Sequence, residues 1–160
     1  MKSILSVLAL GLIGGLFYCV LRNSEKDVSD QKPYVNLLNR PLYLQTKVAL
    51  AKNLPEFSEK EEYFVTEEPQ LFEGVKGIAI LPKGAKLIFE KAFHIHHGVS
   101  GVNYSILTGK VWIESLQKEL PFEYKWGQYH DICLEEPCHY WTFPKALWQS
   151  QVDEQMYVIE

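Results

Sequence analysis

The sequence has no surplus of basic charge: 16 Lys and Arg stand against 20 Asp and Glu, a formal net charge of -4. Proteins that grip nucleic acid neutralise phosphates with a basic stripe or tail, so no nucleic-acid partner is expected. Recognisable catalytic signatures are missing too. There is no Gly-rich phosphate cradle, no G-x-S-x-G elbow and no H-E-x-x-H pair. Cysteine is scarce, with only Cys19, Cys133 and Cys138, so a four-cysteine zinc site has no second pair. Neither an internal repeat nor a low-complexity tract is present, and helical periodicity is rare. An enzyme is therefore not the expected reading.

What is present begins with an apolar run. Residues 4–21 carry no charged side chain. Eighteen residues at about 1.5 Å each reach the lower end of what spans a bilayer core of about 30 Å. Lys2 precedes the run, and Arg22, Asn23, Ser24, Glu25 and Lys26 end it. Its C-terminal end, Phe17-Tyr18-Cys19-Val20-Leu21, lacks the small residues that signal peptidase or a lipobox needs. An uncleaved single-pass membrane anchor is the expectation. A lipoprotein at Cys19 and a cleaved, secreted form are the alternatives. Gly11 and Gly15, four apart, offer a weak helix-pairing motif for homodimerisation. An N-terminal signal-anchor places the bulk of the chain across the inner membrane, in the periplasm or outside the cell.

Residues 22–33 are polar and read as a linker, leaving 34–160 as one exocytoplasmic domain. Without residues 1–21 only Lys2 is lost, so 15 basic and 20 acidic residues give the remainder a charge of -5. Period-two alternation recurs there. It runs through residues 42–51, 86–97, 104–115 and 119–126, separated by Gly, Pro and Ser clusters such as Pro82-Lys83-Gly84. The expected fold is mainly β: a small antiparallel barrel or sandwich of roughly six to eight strands. An α+β fold with one helix near residues 41–53 is the alternative. In the strand over 86–97, Leu87, Phe89, Phe93 and Ile95 share one parity, with Lys91 interrupting it.

Four features carry candidate chemistry. His94 and His96 fall on one face of a strand, where two imidazoles can hold one metal ion, zinc foremost. A third ligand would come from His130, Asp131, Glu135, Glu136 or His139. Without one, no cofactor is expected, and a metal enzyme stays the alternative function. Cys133 and Cys138 flank Leu134-Glu135-Glu136-Pro137, which in an exported domain reads as a disulfide closing an acidic loop. An acidic run holds Glu56, Glu59, Glu61, Glu62, Glu67, Glu68 and Glu73 against Lys60 alone. Aromatics crowd the C-terminal half, where Trp112, Tyr124 and Trp126 suggest a platform. The expected function is a membrane-tethered envelope domain that binds a protein, either as an inhibitor or immunity protein or as an accessory subunit. Its expected surface comprises Glu61, Glu62, Glu67, Glu68, Trp126, Glu135 and Glu136.

Overall fold

The computed structural model describes residues 22–52, 54, 59–67, 74–130, 139–151 and 156–158. The apolar run 4–21, Gly11, Gly15 and Cys19 lie outside them, as do Glu68 and the Cys133–Cys138 loop with Glu135 and Glu136. Among the described residues no helix is long and apolar enough to cross a membrane.

The fold is mainly β, as the alternation implies. Ten strands form one mixed sheet: β1 (Ser24–Asp27), β2 (Pro41–Tyr43), β3 (Val48–Lys52), β4 (Tyr63–Thr66), β5 (Lys76–Leu81), β6 (Lys86–His96), β7 (Asn103–Ile113), β8 (Lys118–His130), β9 (Tyr140–Thr142) and β10 (Met156–Val158). The main path runs β1-β6-β7-β8-β4-β3-β5. β2 adds to β6, β9 adds to β8, and β10 adds to β9. The only helical turns among the described residues are 3-10 turns at Tyr34–Asn36 and Glu114–Leu116.

Three expectations need correcting. The strand count exceeds six to eight because β1, β2, β9 and β10 have only three or four residues each, too few to show a period. The sheet is not wholly antiparallel, since β4 runs parallel to β8 with Phe64 opposite Glu123. The helix near 41–53 does not form. That segment is β2 and β3, broken where Leu44 N–H donates to the Ala85 carbonyl and Gln45 N–H to the Leu147 carbonyl.

The segment 22–33 is not a free spacer either. Its four residues Ser24–Asp27 pair antiparallel with β6, from Ser24 opposite His96 to Asp27 opposite Phe93. All four are exposed, so an edge strand held by backbone hydrogen bonds leaves no hydrophobic trace in the sequence. Val28 then enters the core fully buried, and its N–H donates to the Ala92 carbonyl. Tyr34, Leu37 and Leu38 follow it in.

The main core joins β3 to β8. Leu87 and Phe89 of β6, Leu107, Val111 and Ile113 of β7, and Leu120, Phe122 and Trp126 of β8 pack with Leu50, Val65 and Leu81 of β3 to β5. Phe89 meets Phe122 and Trp148 edge-on at centroid distances of 5.3 and 5.2 Å.

A bulge decides which face His94 occupies. The β6–β7 register shifts between Phe89 and Lys91, so the side-chain parity flips there. Gly109 sits opposite, where an added Cβ would lie 2.2 Å from the Ile88 carbonyl oxygen. Before the bulge Leu87 and Phe89 face the main core. After it Ala92 and His94 take that side, while Phe93 and Ile95 turn to the other face. There Ile95 joins Tyr104 and Ile106 in a second apolar cluster, with Phe93 packed against it. The expected single parity across Leu87, Phe89, Phe93 and Ile95 therefore holds only in halves.

Candidate functional site

The bulge-turned half of β6 forms the floor of a cleft at one end of the sheet. Ser24 and Lys26 of β1, His94 and His96 of β6, Asn103 of β7, Tyr129 of β8 and Trp141 of β9 line it. Its volume is about 240 Å³. They come from five strands, and the cross-strand pairs Ser24–His96, Lys26–His94, His96–Asn103 and Tyr129–Trp141 set them side by side.

The two histidines differ. His94 stacks on Trp141, and its Nε2 lies 3.1 Å from the Tyr34 hydroxyl. Burial holds its pKa down at about 4, with the Lys26 charge adding to the effect, so the ring is neutral. His96 Nδ1 lies 2.6 Å from Asn103 Oδ1. The Asn103 amide nitrogen donates to the Gly101 carbonyl, which leaves Oδ1 as the acceptor and Nδ1 of His96 as the donor.

The metal expectation is met only as far as a shared face. Among the described residues no three His, Cys, Asp or Glu side chains are grouped to hold a metal ion. His130 bonds Thr142 Oγ1 at 2.9 Å and stacks on Tyr140. His139 Nδ1 lies 3.1 Å from the Tyr129 hydroxyl. Asp131, Glu135 and Glu136 lie outside the described residues. Lys26 lines the same cleft and acts electrostatically on His94.

The expected binding surface is scattered. Trp126 is 4% exposed, and its indole N–H donates to the Pro144 carbonyl at 2.8 Å. It is a core residue and belongs to no surface, because its parity on β8 matches Phe122 and not Lys125. Of the suggested platform only Trp112 is exposed, and its N–H is held by Glu114. Glu62 is ion-paired with Lys52. Glu61 sits beside Glu123, and burial followed by that carboxylate raises its pKa. Glu67 is exposed. The acidic loop between Cys133 and Cys138 joins β8 to β9, whose residues Tyr129 and Trp141 line the cleft.

Sequence reading missed a second cluster on the opposite face. Tyr104 donates its hydroxyl hydrogen to Glu59 Oε1, and His97 Nε2 lies 3.0 Å from that oxygen and 2.7 Å from the hydroxyl. Lys125 Nζ is 3.4 Å from the Tyr104 ring centre. Burial, then Glu59, pushes the Tyr104 pKa well above its ordinary value. Glu123 Oε2 accepts both the Lys60 and Glu61 N–H groups at 2.8 and 2.9 Å, pinning residues 59–61 over this face. Lys60 reaches back to Glu25 and lies over Phe93. Glu59, Lys60 and Glu61 lie 35 to 63 residues from the groups they bond here, a distance at which no local spacing signals contact.

No protein-family model matches the chain, and neither a curated protein nor a solved structure is found to resemble it.

Proposed function

We propose that this chain is a membrane-tethered binding domain of the bacterial envelope that docks a protein partner at the cleft end of its sheet. The observation that carries this reading is the rim. Val99 and Val102, 80% and 41% exposed, lie in the connection that joins the cleft residues His96 and Asn103. Exposed apolar side chains beside a recessed cleft are the pattern of a protein-binding surface. Inhibition of a secreted toxin and service as an accessory subunit both fit such a surface. A barrel-like curl, which brings Leu50 and Val65 into one core with Leu87 and Phe122, is the scaffold we assign to it.

The tether is residues 4–21, and the domain lies outside the cytoplasm. A reporter active only after export, fused at Glu160, tests this: activity supports the placement and inactivity refutes it. A metal ion held by His94 and His96 would share its cleft with the Lys26 charge.

Docking is tested by cross-linking the tethered chain in its native membranes and identifying the captured protein. The double variant Val99→Asp with Val102→Asp should lose that capture while its thermal midpoint stays unchanged. Undiminished capture by this variant would refute the assignment.

A further inference from the structure

The cleft's chemistry says what kind of group it takes, and this deepens the docking reading on which it rests. Two charged residues line it, Glu25 and Lys26, and of these Lys26 makes no ion pair with any described residue. Glu25 borders the cleft but gives its carboxylate to Lys60 on the opposite face. Asp27 also faces away, because it pairs with Phe93 and its carboxylate is bonded to Ser29 N–H. The strand alternation of β1 thus sorts its charges, cation inward and acids outward.

Other donors and walls narrow the class. The Ser24 hydroxyl shares the Lys26 side of the strand. Tyr129 and Trp141 supply apolar wall. A volume of about 240 Å³ lies below the roughly 300–1,000 Å³ of sites for drug-sized ligands, so one residue-sized group fits. The apolar side chains of Val99 and Val102 give the preceding stretch of the bound chain a surface to run along.

We infer that the cleft captures the C-terminal residue of a partner polypeptide, its free carboxylate held by Lys26 and Ser24 and its apolar side chain laid against Tyr129 and Trp141. Capture of a chain terminus by a charge and a few polar donors is an established recognition mode. A carboxylate in a charge-assisted hydrogen bond is distinguished sharply from the neutral amide that replaces it.

The test is calorimetric titration of the detergent-solubilised full chain with three probes: acetyl-Ala-Ala-Phe with a free carboxylate, the same peptide as its C-terminal amide, and an amidated acetyl-Ala-Glu-Phe. The free acid should bind about tenfold or more tightly than either amide. Lys26→Met should abolish that preference without shifting the thermal midpoint, since Lys26 is exposed. Lys83→Met, in the exposed Pro82–Ala85 turn, should change nothing. Equal binding of acid and amide, preferential binding of the glutamyl amide, no heat from any probe, or an unaltered preference in Lys26→Met would each overturn the inference. Capture of a partner that persists in Lys26→Met, together with equal acid and amide binding, would leave the docking reading standing and remove only the terminus recognition.

Discussion

The imidazole of His94 lies on the indole of Trp141, ring centres 3.9 Å apart and planes 25° from parallel. The pair ties β6 to β9, two strands that are not neighbours in the sheet, across the floor of the cleft. Protonating His94 would put a charge into this stack, against Lys26 and against burial. The folded-state pKa of about 4 lies below the ordinary 6.5, so the unfolded chain takes up this proton first. The stabilisation is therefore complete above about pH 6.5 and is lost as pH falls toward 4. The shift sets an upper limit of about 3 kcal/mol, which solvent around a partly exposed ring reduces to about 1–2 kcal/mol. Urea unfolding at neutral pH and near pH 4.5 should show a smaller loss in His94→Gln than in the parent chain. Equal losses in the two would exclude His94 as the source.

Glu123 holds residues 59–61 in place with one carboxylate oxygen. Glu123→Ala leaves two backbone N–H groups without their acceptor and should cost about 2 kcal/mol. Amide exchange should speed up at Lys60 and Glu61 before anywhere else. Unchanged protection at those two amides would show that the ion pair of Lys60 with Glu25 suffices to hold the segment.

Trp126 packs against Tyr34, Phe143 and Trp148 at centroid distances of 6.3, 4.7 and 5.3 Å. Trp126→Ala should lower stability by about 3–5 kcal/mol, the range for removing a buried indole. A variant of native stability that merely loses a partner would return Trp126 to the surface.

A chain beginning at Pro33 should be markedly less stable than one beginning at Arg22. It loses β1 from the edge of β6, the buried Val28 and the Glu25 partner of Lys60. Val28 alone accounts for about 1.5–3 kcal/mol on burial. Matching denaturation curves for the two chains would mean that residues 22–32 are a spacer after all.

Much of the fold is legible in the amino-acid order. The long alternations over β6, β7 and β8 announce themselves because each strand buries one face and solvates the other. The Pro82–Ala85 turn is legible in the same way: Gly84 adopts φ 85°, and its N–H donates to the Leu44 carbonyl. Edge strands are not legible, since β1 is exposed at every position and held by its backbone pairing with β6 and one ion pair, Glu25 with Lys60. Pairing of His94 with His96 on one face could be read from their spacing. That both face Lys26 and Trp141 could not, because those residues arrive from β1 and β9.

Local order, then, determined the β class, the separate apolar run and the polar character of the chain's acidic segments. Those properties follow from side-chain period and composition, which act over a few residues. Tertiary structure decided the rest. One extra residue at the Phe89–Lys91 bulge reverses the parity of the strand beyond it, turning His94 toward the core side and Phe93 away. The same packing sends Trp126 into the core and Glu59 onto Tyr104. Such contacts are set by register between strands tens of residues apart, and no window of sequence contains both partners.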